Sequence, residues 1–369
     1  MKRYPLYVKV AFILLSIILF LYGMIIARDF LYPIFFGVLL AYLLYPFANS
    51  LEKFGIPRIL ANLISILLAI LILGMGFLFI YNQLERMIGD LPELRNKAVR
   101  NVETLLGSFK RFSNLEAGTV EEFLKDNVRY LFDTSTMAFN NLFTATTGTL
   151  FKIGIMPVYV FLFLFYRTKF AYFILKLTRE ENKRKIIKIL RDVSKVASNY
   201  MGGVLVVVGI LCVINSTGLY IIGIKYAIAL GIISAIFNFI PYFGTLLGGA
   251  VPLLFTLLVG EDPTDAFKVI ALFAVVQFTE NNILTPNIVG NHVKINPFFI
   301  IIGLVAAAMV WGIPGMLVIV PSLAVLKIIF ENIPEYRPIA FLLGMEGTSK
   351  HAITVANIKR FWRRKVRKQ

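Results

Sequence analysis

The sequence contains very few residues that could form disulfides or bind a metal ion. Its single cysteine, Cys212, has no second thiol to pair with, and only two histidines, His292 and His351, accompany it. Structural zinc sites use about four Cys or His ligands, so the sequence excludes one. It also contains no Walker-type phosphate loop, GxSxG elbow, HExxH pair or CxxCH haem-attachment motif. We therefore expect no metal, no other cofactor and no enzymatic activity.

Charged residues are scarce as well. They make up 16% of the chain, whereas hydrophobic residues make up 58%, and the mean hydropathy is +0.77. Soluble domains usually contain about 25% charged residues. This composition excludes a water-soluble globule and predicts an all-α, polytopic helical membrane protein. At roughly 20 residues per crossing plus loops, the 369 residues accommodate about eight hydrophobic segments.

These hydrophobic segments lie at residues 10–27, 30–48, 59–81, 150–166, 201–222, 226–259, 267–285 and 298–330. The two longest, 226–259 and 298–330, would measure about 50 Å as straight helices, well beyond a hydrocarbon core of about 30 Å. Each is interrupted by proline and glycine, around Pro241 in the first and in Gly312-Ile-Pro-Gly315 in the second. We therefore predict broken helices or re-entrant hairpins in the C-terminal half.

The hydrophobic segments and the polar regions between them divide the chain into six parts. We predict N-terminal membrane helices at 1–81, an extracytoplasmic amphipathic helical segment at 82–149, a membrane helix at 150–166, a basic cytoplasmic segment at 167–200, a motif-rich membrane domain at 201–333 and a basic cytoplasmic tail at 334–369. Lys and Arg total 38 against 21 Asp and Glu, and such an excess usually lies in cytoplasmic loops. Both termini should therefore be cytoplasmic, and the basic segments should contact anionic lipid headgroups rather than nucleic acid.

The extracytoplasmic segment contains a regular hydrophobic seam. Its positions alternate in steps of four and three, with Arg95 filling the one gap: Leu84, Ile88, Leu91, Ala98, Val102, Leu105 and Phe109. This spacing is typical of a coiled coil. Asp90 and Glu93 are placed as a capping box at the start of a helix. The seam predicts an amphipathic helix that binds either neighbouring subunits or a partner outside the membrane.

A polar cluster interrupts the seventh hydrophobic segment. On a helix, Gln277, Glu280 and Asn281 stand at positions i, i+3 and i+4 and share one face. Polar groups are costly in hydrocarbon, so such a cluster is a candidate functional site. One acid flanked by amides could bind a proton or a small monovalent cation. The alternative is a hydrogen-bonded cluster that packs helices together, or a helix end among the headgroups.

The proline–glycine breaks are further candidates. Near Asn238, Pro241 removes a backbone donor and Gly244 loosens the chain, which would leave amides and carbonyls unpaired by the helix. Irregular backbone persists at membrane depth only where it is buried in protein or lines a wet cavity, as in many transporter sites. A kink packed by small residues is the alternative. The break at Gly312–Gly315 is similar, and a gated pathway would need two such breaks.

Four motifs in the C-terminal half follow one another in a specific order. They are Asn238-Phe-Ile-Pro-Tyr-Phe-Gly244, Glu280-Asn-Asn-Ile-Leu-Thr-Pro-Asn-Ile-Val-Gly290, Ile295-Asn-Pro297 and Trp311-Gly-Ile-Pro-Gly-Met-Leu-Val-Ile-Val-Pro321. In order and spacing they resemble the autoinducer-2 exporter (AI-2E) family. The resemblance implies a transporter of the inner membrane that forms a homo-oligomer, with a pentamer as one possibility. It also implies either export of autoinducer-2, a small polar signal molecule, or exchange of sodium or lithium for protons.

The resemblance also points to particular residues. The positions that match the family motifs are Asn238, Pro241, Gly244, Glu280, Asn281, Pro286, Gly290, Gly312, Pro314 and Gly315. Our leading hypothesis is a secondary transporter that exports a small polar solute such as autoinducer-2, with Glu280 as the coupling or gating acid. The alternatives are a sodium(lithium)/proton antiporter and an oligomeric membrane scaffold whose extracytoplasmic helices bind a partner.

Overall fold

The computed structural model describes residues 5–110, 122–123, 125–130, 132–134, 137, 147–290 and 295–345. These residues are almost entirely helical. Within the described ranges no strand forms, and an isolated antiparallel bridge joins Ile295 to Gly344. The all-α prediction is confirmed. Most of the predicted basic tail lies outside the described residues.

The helices are numbered here in chain order. They are α1 (Leu6–Ile26), α2 (Arg28–Lys53), α3 (Arg58–Gly89), α4 (Leu91–Lys110), α5 (Thr147–Leu177), α6 (Lys183–Ile222), α7 (Ala227–Phe237), α8 (Phe243–Val259), α9 (Pro263–Thr279), α10 (Thr285–Ile288), α11 (Pro297–Trp311), α12 (Ile313–Asn332) and α13 (Arg337–Leu343). A π-helical turn, Glu280–Leu284, joins α9 to α10. Helices α5 and α6 continue through the predicted boundaries at residues 166 and 200.

Several helical stretches are long and apolar enough to cross a membrane. In the part of the chain that the structure describes there are six: Arg28–Lys53, Arg58–Gly89, Gly154–Leu177, Glu180–Ile222, Pro263–Ile288 and Ile313–Asn332. Four further apolar helical stretches are shorter: Val10–Ile26, Ala227–Phe237, Phe243–Val259 and Pro297–Trp311. Within α6, residues 201–222 are predominantly apolar and contain no charged residue, and we call them its apolar half. The polytopic membrane architecture predicted from composition is confirmed.

The chain forms two compact units. One comprises the described residues of 1–28, 168–200 and 291–369, and the other those of 29–167 and 201–290. In the first unit the Trp311 indole N–H donates to the Met24 carbonyl (3.0 Å), which ties α11 to the end of α1. The second unit contains α2 to α4, most of α5, the apolar half of α6, and α7 to α10. It therefore holds the predicted polar cluster.

The segment 226–259 folds as a hairpin of two helices. A Cβ on Gly248 of α8 would lie 2.9 Å from the Ser234 carbonyl oxygen of α7, and a Cβ on Gly244 would collide with Asn238. The contacting residues ascend on one helix and descend on the other, so α7 and α8 are antiparallel. With 11 residues, α7 is only about 17 Å long and cannot span a 30 Å core alone. Of the two predicted alternatives, the hairpin is the one observed.

The segment 298–330 folds in the same general way. A Cβ on Gly303 of α11 would lie 3.1 Å from the Ile319 side chain of α12, and a Cβ on Gly315 would collide with the Ala307 carbonyl. These contacts again make the helices antiparallel. Helix α12 has 20 residues, about 30 Å, and is long enough to span a bilayer by itself. The second break is therefore also a hairpin turn.

Ion pairs mark the two ends of α3. At its start, Arg58 and Arg167 both pair with Glu52 of α2, the Arg58–Glu52 distance being 3.7 Å. Just beyond its end, Asp90 pairs with Lys225 of the α6–α7 link (3.1 Å). Helix α3 has 32 residues, about 48 Å, so the two groups of charges stand on opposite sides of a membrane-length helix.

The predicted seam packs inside the chain. Leu94, Ala98 and Val102 of α4 form a buried cluster with Val128 and with Val259 at the end of α8. Leu94 occupies the place that the heptad spacing assigned to Arg95. The Arg95 guanidinium instead pairs with Asp133 (3.4 Å). The heptad register was wrong at this position because the described helix packs against α8 rather than against a coiled-coil partner. The side chains of Leu105 and Phe109 lie outside the described residues.

The predicted capping box does not form. The Asp90 carboxylate accepts a hydrogen bond from the Tyr226 hydroxyl and pairs with Lys225. The Tyr226 hydroxyl, and to a lesser extent Lys225, hold the pKa of Asp90 below its ordinary value. A tertiary contact between two links has replaced the local contact that the sequence suggested.

Candidate functional site

The predicted polar cluster forms around the amide of Gln277. Its Nε2 donates to Glu280 Oε2 and to Asn281 Oδ1, at 3.1 Å in both cases. Gln277 and Glu280 are half-buried and Asn281 is exposed. The shared face predicted from the i, i+3, i+4 spacing is therefore observed. We call these three residues the polar trio.

The trio stands where the regular α-helix gives way to the π-helical turn. The Thr285 amide donates to the Glu280 carbonyl, five residues back, and Pro286 has no N–H with which to continue the ladder. Such π-helical turns within helices are frequent at functional sites. Asn282 points away, since its side-chain amide donates to the Phe278 carbonyl (2.8 Å).

The tip of the α7–α8 hairpin, residues 238–242, keeps most of its amides bonded. The Asn238 and Ile240 amides donate to carbonyls three residues back (3.0 Å each), and the Gly244 amide donates to Ile240 (2.8 Å). The expectation of unpaired amides around Pro241 is therefore wrong for these residues, because tight turns replace the helical ladder. The tip is nevertheless strained, since Tyr242 adopts a φ of 66°.

The packing of α8 against α9 brings the polar trio to the level of this tip. The short link at 260–262 makes the two helices antiparallel, and a Cβ on Gly249 would lie 3.6 Å from Phe273. Gln277 and Glu280 follow Phe273 by four and seven residues and so lie on the same face of α9. Moving from Gly249 towards the start of α8 leads to the tip. The trio and the tip therefore occupy the same end of the α8–α9 pair.

Contacts of α6 with residues 263–289 show where Glu280 lies along the apolar half of α6. Near the start of the apolar half of α6, Gly203 packs so closely that an added Cβ would lie 2.9 Å from the Val289 Cα. Near the end of that half, Gly218 packs against Leu272. Glu280 lies about midway between these two contacts. It is therefore level with the middle of the apolar half of α6.

Two further residues at this level could not be identified from the sequence. Tyr242 immediately precedes α8 and Thr245 lies in its first turn. The Thr245 hydroxyl donates to the Tyr242 carbonyl (2.8 Å). Both are exposed, and both lie at the end of α8 that faces the level of the trio. A tyrosine between proline and glycine in the Pro241–Gly244 motif was the available signal, but nothing in it indicated a positive φ.

A buried polar pair lies at a similar depth on α6 and α7. The Asn215 side-chain amide donates to the Ser234 hydroxyl (3.2 Å), and each residue is 1% exposed. Asn215 Oδ1 has no hydrogen-bond partner within the described part of the chain. The register of α6 against α9 places Asn215 close to the level of Gln277. Polar groups on α6, α7, α8 and α9 thus form one layer within apolar helices, which we call the polar layer.

The remaining predicted residues have other positions. Pro286 and Gly290 follow the trio in the second unit, where Gly290 lies two residues beyond the end of α10 and adopts a φ of 72°. Gly312 forms the turn of the α11–α12 hairpin, and Pro314 and Gly315 lie in the first turn of α12; all three belong to the first unit. Gly312 adopts a φ of 65°, a conformation that favours glycine. The structure therefore groups the other predicted residues in one unit and these three in the other.

Comparison with known proteins agrees with this architecture. Residues 14–335 match the family described as AI-2E family transporter. The chain belongs to this family. Two relatives named as transport proteins, YueF and YrrI of Bacillus subtilis, are each 29% identical to it; the alignments cover 88% and 83% of this chain and 90% and 87% of the relatives. The AI-2 transport protein TqsA of Escherichia coli is 23% identical over 91% of this chain and 95% of its own length.

Family membership and the helical architecture together identify a multi-pass membrane transporter. The match extends from α1 to the end of the α11–α12 hairpin, so it covers residues of both units and every residue of the polar trio. The relatives' alignments likewise cover most of both chains. The polar layer and both hairpins therefore lie within the region that the family shares.

Proposed function

We propose that the protein is a secondary transporter of the inner membrane that exports a small polar solute, with autoinducer-2 as the solute to test first. The choice of solute rests on the name of TqsA, a distant relative. The choice of route rests on the polar layer in the second unit. Both termini are proposed to be cytoplasmic, in keeping with the basic segment at 167–200.

The depth of the polar layer is the observation that carries the proposal. The hairpin tip and Glu280 lie level with the middle of the apolar half of α6. Secondary transporters commonly bind their solutes near the bilayer midplane, where helices are interrupted. A hairpin tip beside a π-helical turn supplies two such interruptions at one depth.

Glu280 is proposed to be the coupling acid. An ionised carboxylate is costly in the middle of a bilayer unless it is paired or solvated. At Glu280 the described partner is a neutral amide, Gln277, which can donate a hydrogen bond but cannot neutralise the charge. Protonation, or the arrival of a solute or cation that interacts with the carboxylate, would each lower this cost. Gln277 then positions the carboxylate, and Asn281 offers a neutral amide at the exposed edge.

A sodium(lithium)/proton antiporter is the second candidate. It is favoured by the chemistry of the trio, because a carboxylate and amide oxygens can bind a monovalent cation or release it on protonation. The scaffold hypothesis receives no support from α4, whose described seam residues pack against α8 of the same chain.

The test uses purified protein reconstituted into vesicles. We expect Glu280→Gln to insert normally and to reduce autoinducer-2 flux at least tenfold. The matched control is Glu93→Gln, the same chemical change at an exposed carboxylate on α4, and its flux should equal that of the wild type. Unchanged flux through Glu280→Gln at every pH from 5 to 8 would remove Glu280 from the mechanism.

A second measurement separates the two candidate activities. A pH-sensitive dye inside the vesicles reports proton movement when sodium or lithium is added without organic solute. A signal that Glu280→Gln abolishes and Glu93→Gln preserves would favour the antiporter. Autoinducer-2 flux without that signal would favour export. If correctly inserted protein shows no autoinducer-2 flux and no dye response, both proposals are contradicted.

A further inference from the structure

A groove of about 560 Å³ lies in the second unit, away from the polar trio. It is bounded by the second half of α3, by α6 and by α7. Its lining includes Gly76 and Phe79 of α3, Cys212, Val213 and Tyr220 of α6, and Ile232 of α7. Helix α9, which carries the trio, contributes no lining residue. The proposed solute route does not explain this groove.

The lining favours hydrocarbon over a polar solute. None of the described side chains that line the groove is charged, and most of them are aliphatic or aromatic. One of its hydroxyls is already bonded, because Ser216 donates to the Ile228 carbonyl (3.3 Å). A polar solute would therefore lose most of its hydrogen bonds to water on entering, which is unfavourable. An apolar occupant loses nothing comparable and gains contact with apolar walls.

The groove lies in one half of the apolar region. On α6 its residues run from Cys212, near the level of the polar layer, to Tyr220, near the α6–α7 link. Just beyond that end stand Asp90 and Lys225, whose side chains are 44% and 54% exposed and pair at 3.1 Å. The groove therefore begins at mid-depth and ends beside an accessible pair of opposite charges.

The shape of the groove suits an acyl chain. From Cys212 to Tyr220 it extends along roughly 12 Å of α6. A flexible hydrocarbon chain can follow this length within a volume of about 560 Å³. Because the surrounding helices are of membrane length, bilayer lipid is the hydrocarbon at hand.

We propose that this groove is a binding site for one phospholipid, whose acyl chain lies between α3, α6 and α7 and whose zwitterionic headgroup lies at the Asp90–Lys225 pair. A phosphoethanolamine headgroup complements the pair, because its phosphate can approach Lys225 and its ammonium can approach Asp90. The lipid would join α3 to the helices that frame the polar layer.

Two glycines on α3 provide a matched test. Gly76 lines the groove and Gly74 does not, yet a Cβ at either position meets nothing within 4 Å. Gly76→Leu therefore fills the groove, whereas Gly74→Leu adds the same side chain elsewhere on the same helix. Native mass spectrometry counts the lipids that remain bound after purification with added phosphatidylethanolamine. We expect about one tightly held lipid per chain in the wild type and in Gly74→Leu, and at least a fivefold loss in Gly76→Leu.

A second variant guards against a local effect on α3. Val213→Phe fills the groove from α6, where the Val213 side chain is 65% exposed, and should cause the same loss. Equal lipid retention by both filling variants and the wild type would overturn the proposal. So would a loss of subunit assembly with lipid retention unchanged, because the groove would then be a subunit contact. Replacing phosphatidylethanolamine by phosphatidylglycerol tests the headgroup, and equal retention of the two would contradict its role.

Discussion

The hairpin of α7 and α8 turns through residues 238–242, whereas the hairpin of α11 and α12 turns at the single residue Gly312. Proline and glycine stand in or directly after both turns, and in each hairpin a glycine of the second helix packs closely against the residues before the turn. The first turn leaves polar side chains near its tip, including Thr245, and holds Tyr242 in a strained conformation. The second is tied to α1 through the indole of Trp311.

The difference indicates that similar proline–glycine motifs serve different purposes in the two hairpins. A one-residue turn that is anchored by a hydrogen bond holds two helices in a fixed arrangement. A longer turn with a strained tyrosine, beside a π-helical turn and a carboxylate, is what a solute-binding region requires, since strained residues persist chiefly at functional sites. We therefore expect the α11–α12 turn to serve stability and the α7–α8 turn to serve transport.

The largest effect is expected where a glycine packs against opposing backbone. Gly315→Ala and Gly244→Ala should each lower stability by about 1–3 kcal/mol, because the added Cβ would collide with Ala307 and Asn238 respectively. Gly249→Ala is the control, since its Cβ would make an ordinary 3.6 Å contact with Phe273. Thermal unfolding in detergent measures all three.

The control should differ in sign as well as in size. Gly249 lies inside α8, where alanine favours the helix by up to about 1 kcal/mol over glycine. Equal stability of Gly315→Ala and Gly249→Ala would show that the hairpin contact is looser than described.

The next effect comes from the two residues with positive φ at the turns. Gly312→Ala should destabilise the protein by about 1–2 kcal/mol, because alanine is sterically disfavoured at a φ of 65°. Tyr242→Gly should do the opposite and raise the unfolding temperature, since glycine adopts a φ of 66° without strain. The same two variants are assayed for flux in vesicles.

The transport rate should differ between the variants in the two hairpin turns. We expect Gly312→Ala molecules that remain folded to transport normally, and Tyr242→Gly to transport several-fold more slowly despite its greater stability. If Tyr242→Gly is both more stable and fully active, the strained tyrosine has no part in transport and the contrast between the two turns loses its functional meaning.

A smaller effect is expected from the anchor of the α11–α12 turn. Trp311→Phe keeps an aromatic ring but removes the indole N–H that donates to the Met24 carbonyl. The loss should be about 1 kcal/mol, the usual net contribution of one hydrogen bond. Phe239→Leu, at the tip of the other hairpin, removes no hydrogen bond of this kind and should affect flux more than stability. Unfolding midpoints and vesicle flux are measured for both variants. They show whether Trp311→Phe mainly lowers stability and Phe239→Leu mainly lowers flux.

Features that depend on neighbouring residues could be predicted from the sequence. The hydrophobic segments indicated the helices, and the spacing of Gln277, Glu280 and Asn281 indicated their shared face, because both follow from helical periodicity. The choice between a broken span and a hairpin depended instead on contacts such as Gly248 with Ser234. No local pattern contains such information.

The same limit explains the errors around α4. Asp90 resembled a capping residue because its partners, Lys225 and Tyr226, are far away in the sequence. A strict heptad omits Leu94, whereas a helix packed on a single neighbour follows its own 3.6-residue period.

The smallest predicted effect concerns the contact between the α3–α4 link and the α6–α7 link. The Tyr226 hydroxyl, and then Lys225, hold the pKa of Asp90 below its ordinary value, so the ionised carboxylate is stabilised in the folded state. That contribution is fully present above the unfolded pKa of about 3.9 and is lost as the pH falls through the lower folded pKa. Asp90→Asn lacks this contribution at every pH. The variant should therefore lose less stability than the wild type as the pH falls below about 4. Unfolding midpoints between pH 3 and 7 measure the difference.

The matched control for this acid effect is Asp126→Asn. It makes the same chemical change in a surface pair with Arg129, within one helical stretch, and its unfolding midpoints should follow those of the wild type as the pH falls. Asp90 instead joins two links that are distant in the sequence, and the second of them leads directly into α7. Parallel curves for the wild type and Asp90→Asn would therefore mean that the contact between the α3–α4 and α6–α7 links contributes nothing to holding the α7–α8 hairpin in place.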